Sequence, residues 1–289
     1  MTSFTCDDLH NKNSLKRFLR SFDINLRKNL GQHFLFDRTV LNTIAESSGG
    51  GRIVVEVGAG LGSLTCLLKR SFDRVYGIEV DDRFEDPFNE VNPEENVVFL
   101  KGNVLDIDLS EIVVEKKERA GIVGNIPYNI TGKILKKLVS ERELFSRAVL
   151  TMQKEVSDRI LAKPGTRGCG PITYLVQAYG EVNHVLDVPP EAFYPPPGVH
   201  SSTVKITLAE KSKFDCDEET FFSLIRGTFI HRRKTVRNGL ISSPEFSLSK
   251  EDVDSLLESA EIDSRKRPEE LSVKDYDRLG KEFSKRRYG

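Results

Sequence analysis

Asn125-Ile126-Pro127-Tyr128 carries the most explicit chemistry in this sequence. It follows the short apolar run Ala120–Val123, which reads as a buried strand. The tetrapeptide therefore falls at a strand's carboxyl end, the edge where open α/β sheets bind ligands. An asparagine oxygen next to a main-chain carbonyl offers two acceptors to one exocyclic amine on a base. Such an amine is a poor nucleophile, because its lone pair is delocalised into the ring. Accepting both of its hydrogens favours the pyramidal form that frees the lone pair. Pro127 fixes φ and so holds the carbonyl in place, while Tyr128 offers a face on which a base can stack. The reaction that fits is N-methylation, helped by positioning rather than by a strong general base. The same residues would also make an ordinary proline turn beside a core tyrosine, so the neighbouring motifs decide.

Upstream, the run Arg52–Val57 leads into Glu56-Val57-Gly58-Ala59-Gly60-Leu61-Gly62-Ser63. Glycines let a backbone turn sharply and approach a ligand, and the helix that follows presents free N–H groups. Glu79 stands 21 residues after Gly58 at the end of the next apolar run, where a carboxylate can accept from two ribose hydroxyls. A dinucleotide or S-adenosylmethionine would satisfy this pattern. The dinucleotide form wants Gly or Ala where this chain has Ser63. A glycine turn preceded by an acid, Glu56, favours the sulfonium donor.

These residues need a scaffold. Strands are predicted at Arg52–Val57, Arg74–Val80, Asn96–Leu100, Ala120–Val123, Ala148–Gln153, Val182–Val188 and Ser202–Leu208, with helices between them at Gly62–Arg70 and Thr131–Glu141. That alternation predicts an α/β fold, a parallel sheet with helices on both faces; with the glycine turn and tetrapeptide on it, the expected form is a Rossmann-like S-adenosylmethionine-dependent methyltransferase sheet. From about Lys211 the pattern turns helical, over Asp217–Leu240, Ser249–Ala260 and Ser272–Ser284. The expected organisation is a basic, mobile N-terminal arm (1–27), a Rossmann-like domain (28–210) and a small helical RNA-binding domain (211–289).

Composition sets the boundaries. The 289 residues hold 43 Lys plus Arg against 44 Asp plus Glu, a net charge of −1, with a mean hydropathy of −0.36. The sum hides a pattern. Lys12–Arg38 has seven basic and two acidic residues, Glu79–Glu118 four basic and 13 acidic, and Phe221–Leu240 five basic and none acidic. No uncharged stretch reaches the roughly 18 residues of a membrane span, and the first ten residues hold two aspartates where a secretory signal needs an apolar core. Cys6, Cys66, Cys169 and Cys216 are scattered, with no C-x-x-C. The expectation is no disulfide framework, no metal site and a reducing cytoplasm.

Six ordered motifs resemble one family, the KsgA-type ribosomal RNA small-subunit adenine dimethyltransferases, over residues 28 to 280. They are Lys28-Asn29-Leu30-Gly31-Gln32-His33-Phe34-Leu35, Glu56–Gly62, Asn125–Tyr128, Gln153-Lys154-Glu155-Val156, Phe193–Ser201 and Arg232-Arg233-Lys234-Thr235-Val236-Arg237-Asn238. The resemblance implies transfer of methyl groups from S-adenosylmethionine, with no metal, to two adjacent adenosines near the 3′ end of 16S rRNA. It also implies the small-subunit precursor as partner; no membrane is expected, and a monomer is the default for an oligomeric state on which the sequence is silent. It assigns Gln32, His33, Leu35, Gly58, Gly60, Glu79, Val80, Asn103, Val104 and Asn125 to the donor. Catalysis falls to Asn125, Ile126, Pro127 and Tyr128. Tyr128 and Phe193 would meet the target base, and Arg232, Arg233, Lys234 and Arg237 would form an RNA-facing helix.

The chain departs from the family pattern in three places. Asn103 stands where an Asp usually meets the donor's adenine, and its amide oxygen is still an acceptor. His33 replaces a common Asn and His200 an Asp; neither is assigned catalysis. Three rivals are weighed: an Erm-type methyltransferase of large-subunit rRNA, a non-catalytic RNA-binding assembly factor, and a nicotinamide-dependent oxidoreductase. Gln153–Val156 and Arg232–Asn238 disfavour the first, the intact donor fingerprint and tetrapeptide the second, and Ser63 the third.

Overall fold

The apolar runs become the strands of one seven-stranded sheet. A computed structural model describes residues 4–27, 31–113 and 118–288; Lys28, Asn29 and Leu30 of the first motif lie outside them. The strands are β1 (Phe34–Leu35), β2 (Gly51–Val57), β3 (Phe72–Glu79), β4 (Val97–Lys101), β5 (Ala120–Asn125), β6 (Phe145–Gln153), β7 (Gly180–Val188), β8 (Phe193–Tyr194) and β9 (Ser201–Leu208). The main sheet has the order β4-β3-β2-β5-β6-β9-β7, and β1 pairs with β8 outside it. β2 runs parallel to both β3 and β5, and β9 antiparallel to β6.

Register carries the consequence for function. Val57 is level with Ile78 on one side and with Gly124 on the other. The next residue of each strand, namely Gly58, Glu79 and Asn125, therefore emerges at the same edge, about 4.8 Å from its neighbour. The strand order reverses between β2 and β5, the switch point at which open α/β sheets form their ligand crevice.

Two compact units share the chain. The first runs to Ser157 and resumes at Val182–Leu208; the second takes Asp158–Glu181 and the chain from Ala209. Placing Asp158–Glu181 in the helical unit departs from the predicted division. Tyr174 explains it: buried, its hydroxyl donates to the Leu271 carbonyl (2.6 Å) and its ring lies 5.1 Å from that of Tyr276. The helix predicted over Asp217–Leu240 is two, Glu218–Phe229 and Val236–Ser242. Thr235 caps the second by accepting from the Asn238 N–H.

The N-terminal residues do not form a mobile arm. They fold as α1 (Cys6–Leu9) and α2 (Lys12–Ser21), followed by α3 (Arg38–Ser48) and α4 (Thr65–Leu68). Asn11 caps α2 by accepting from the N–H groups of Asn13 and Ser14. Leu15, Phe18 and Leu19 are buried along one face of α2, in a cluster with Phe34, Leu61, Cys66 and Phe84. Cys6 and Cys66 are joined as a disulfide, contrary to expectation. Their 60-residue separation hid the pairing, which arises because α1 folds back onto α4.

Candidate active site

All ten residues expected at the donor, and all four of the tetrapeptide, line one cavity of about 270 Å³. Two glycines shape its floor. Gly58 has φ +72° and a Cβ there would come within 3.3 Å of the Asn125 carbonyl oxygen; at Gly60, φ is +54° and a Cβ would lie 2.9 Å from the Phe34 ring. Side chains at either position would fill the space between the turn and its surroundings.

Glu79 is buried and already organised. Its carboxylate accepts from the Gly60 N–H (3.0 Å) and from the N–H groups of Val80 (2.9 Å) and Asp81 (3.0 Å). Burial pushes its pKa up, while these main-chain donors oppose that shift. Asp81, unremarked in the sequence, is also buried. The Arg83 guanidinium grips both of its oxygens (2.8 and 2.6 Å) and holds its pKa down at about 2. The Asp81 carboxylate accepts from Gln32 Nε2 (2.7 Å), and Gln32 Oε1 accepts from the Arg27 N–H (2.8 Å). Arg83 also donates to the Asn25 carbonyl. Asp81 thus ties the loop bearing Gln32 and His33 to the strand end bearing Glu79.

Asn125 Nδ2 donates to the His33 carbonyl at 3.0 Å, and Asn125 Oδ1 is buried with no partner. The His33 oxygen can only accept, so the amide nitrogen must face it, which leaves the amide oxygen as the free acceptor on the cavity wall. The Pro127 carbonyl takes the Ile130 N–H (3.1 Å) and the Thr131 hydroxyl (3.3 Å). The His33 ring meets the Pro195 carbonyl at 2.7 Å through Nδ1 and stacks over Tyr128, at 6.2 Å and 22°. Tyr128 is half-buried, its hydroxyl bonded to Ser201 Oγ at 2.6 Å. Burial raises its pKa, so it stays a neutral phenol.

Glu56 lies beneath the turn, 3% exposed. Thr65 Oγ1, at the head of α4, donates to it. Burial, with the Glu79 carboxylate nearby, pushes the Glu56 pKa up to about 8. Asn103 lines the cavity, but its side chain is engaged in its own loop: Oδ1 accepts from the Leu105 N–H (3.1 Å) and Nδ2 donates to Asp106 (2.9 Å). One lone pair of Oδ1 remains for a ligand. Val104 and Leu35 are buried, and Val80 is 55% exposed.

Other expectations need correction. Phe193 is fully buried in the core and does not line the cavity, because strand alternation turns it into one core cluster while Tyr194 packs on the opposite side against the cluster of Phe34. Arg232, Arg233 and Lys234 lie on the turn between two helices rather than on a helix. In the second unit Arg232 and Arg233 line a depression with Arg167, Arg267 and Glu269. Arg232 pairs with the largely buried Glu269 at 2.8 Å, and Arg237 pairs with Asp254. Sequence reasoning also missed Asp81, Arg83, Ser201 and Thr65; the D-x-R spacing two residues after Glu79 was the only local hint.

A cavity at the switch point, floored by glycines and walled by a free asparagine oxygen and a stacking tyrosine, is one half of the identification. The family model for ribosomal RNA adenine dimethylase matches residues 23–285. The chain belongs to that family. Among its relatives, the ribosomal RNA small subunit methyltransferase A of Geobacillus thermodenitrificans is 34% identical, covering 93% of this chain and 94% of that protein. Its counterpart in Clostridium acetobutylicum is 35% identical, over 93% and 97%. A dimethyladenosine transferase from Plasmodium falciparum superposes with a TM-score of 0.71 at 27% identity, covering 86% of this chain and 96% of that one. The 23S rRNA methyltransferase ErmE follows at 0.66 and 21% identity, over 86% and 99%, and shares the fold. The architecture of this dimethylase-family chain is that of a Rossmann-like methyltransferase.

Proposed function

We propose that this protein dimethylates two adjacent adenosines near the 3′ end of small-subunit rRNA, with S-adenosylmethionine as methyl donor and the small-subunit precursor as partner. The observation that carries the reading is the buried, unpartnered Asn125 Oδ1, set beside Tyr128 in the cavity that also holds Glu79. The residues present fit the donor: Gly58 and Gly60 leave room for its amino-acid portion, Glu79 keeps lone-pair capacity for ribose hydroxyls, and Asn103 keeps one acceptor for an adenine amine. When bound, the donor supplies an electrophilic methyl group.

The chain's own residues supply the rest. Asn125 Oδ1 and the Ile126 carbonyl, held by the proline ring that follows it, accept the two hydrogens of the target amine. The Pro127 carbonyl is already engaged. Tyr128, anchored through Ser201, stacks on the base, which must leave its helix to arrive there. No group in the cavity needs to act as a strong base: the amine nitrogen takes the methyl group as that group's bond to sulfur breaks, and only the cationic nitrogen so formed gives up a proton, to water.

The relatives at 34–35% identity carry small-subunit names, which supports the small-subunit substrate over the large-subunit one. Incubating the protein with labelled donor and unmethylated small subunits, then mapping the product, tests the reading. Two labelled adenosines in the 3′-terminal region are expected. Label confined to large-subunit RNA, or none at all, would refute it.

A further inference from the structure

α2 has a face that the donor site does not explain. Lys12, Lys16 and Arg20 recur every four residues and so form one stripe, spaced roughly 6 Å apart. Arg17 stands on the outer side of the stripe, and Leu15, Phe18 and Leu19 are buried along the face that the stripe flanks. Lys12, Arg17 and Arg20 are exposed and Lys16 is half-buried. Among the described residues none of these four pairs with a carboxylate, although Arg38 nearby pairs with Asp7 and Arg226, Arg232 and Arg237 all have carboxylate partners. From Leu9 to Phe36 the sequence holds six cations and a single acid, Asp23.

Like charges four residues apart on a helix repel each other. A stripe left without internal counter-charges is available to an external polyanion. Its location narrows the choice. Lys16 Nζ lies 5.0 Å from the centre of the Tyr194 ring. Tyr194 is the strand partner of Phe34, whose neighbours His33 and Leu35 line the cavity. The stripe therefore borders the β1–β8 pair that walls the site.

We infer that the exposed face of α2 is an RNA-contact surface that grips the phosphate backbone of the substrate beside the reacting base. It lies outside the motifs that first suggested RNA, and it rests on the function proposed above. Phosphate contacts position a nucleic acid and release counterions, so each one adds to the salt dependence of binding.

The test uses the full chain and unmethylated small ribosomal subunits, with affinity measured between about 50 and 200 mM salt. Lys12→Gln/Lys16→Gln/Arg20→Gln should make the log–log slope shallower by about two to three, at 0.7–0.9 per lost contact. Donor titration should be unchanged. Lys12→Glu/Arg20→Glu, which leaves the Lys16–Tyr194 contact intact, should weaken binding at least tenfold at the lowest salt with an unaltered melting temperature. Parent-like slopes and affinities in both variants, with methylation by the parent intact, would overturn the inference while sparing the proposed function. No label transfer by the parent would overturn both.

Discussion

Asn125 serves two partners, and two substitutions weigh them differently. Asn125→Ala removes both the acceptor for the target amine and the donor to the His33 carbonyl; it should lower kcat by roughly 10–100-fold or more, the scale of a lost hydrogen bond to a group gaining charge. Donor affinity should also fall, but less than in a variant that sets a charge against that carbonyl. Asn125→Asp keeps acceptor oxygens but turns one towards the His33 carbonyl, 3.0 Å away in the parent. Its defect should fall on donor affinity, since His33 belongs to the donor wall; isothermal titration and single-turnover rates distinguish the two. Glu56 gives a pH signature. Its pKa is raised from 4.5 to about 8, so the folded chain keeps a proton that the unfolded chain gives up above 4.5. The stabilisation is full below that value and is lost as pH rises through about 8, changing by up to about 1.4 kcal/mol per unit. Melting of the free protein should fall from pH 5 to 9, and Glu56→Gln should flatten that profile; an unchanged slope would place the titration elsewhere.

At the scale of elements, the predicted strands recur with ends shifted by a few residues, because parallel strands buried on both faces are continuous apolar runs. Register then delivers Gly58, Glu79 and Asn125 to one edge without further signal. What stayed hidden depends on long-range contact. Asp81 matters because Gln32 reaches it across 49 residues, and Tyr128 is anchored by Ser201, 73 residues on. The N-terminal helices were partly legible: Leu15, Phe18 and Leu19 have helical spacing behind the Asn11 cap, but the surrounding cations made the segment read as an arm. Its attachment yields a prediction. The Cys6–Cys66 link closes a loop of 60 residues, and such a loop stabilises by about 2–4 kcal/mol. Cys6→Ser should lower stability by that amount in denaturant titrations without reductant. Reductant should bring the parent to the same value and leave the variant unmoved.

Across the whole molecule, a net charge of −1 is a poor guide to partners, since internal pairing decides which cations are available. Arg232 and Arg237 are held by Glu269 and Asp254, whereas Arg233 and Lys234 make no ion pair among the described residues. The basic turn should therefore divide by role. Arg233→Gln/Lys234→Gln should make the salt slope of small-subunit binding shallower by about one to two, at 0.7–0.9 per phosphate contact. The melting temperature should not move, because both side chains are exposed and neither makes an ion pair among the described residues. Arg232→Gln should lower the melting temperature as well, because it leaves the largely buried Glu269 carboxylate without its partner. If Arg232→Gln alone flattens the salt slope while the Arg233/Lys234 variant binds as the parent does, then the paired arginine is the one that reaches phosphate. Glu269 would in that case be a carboxylate displaced on binding rather than a structural anchor.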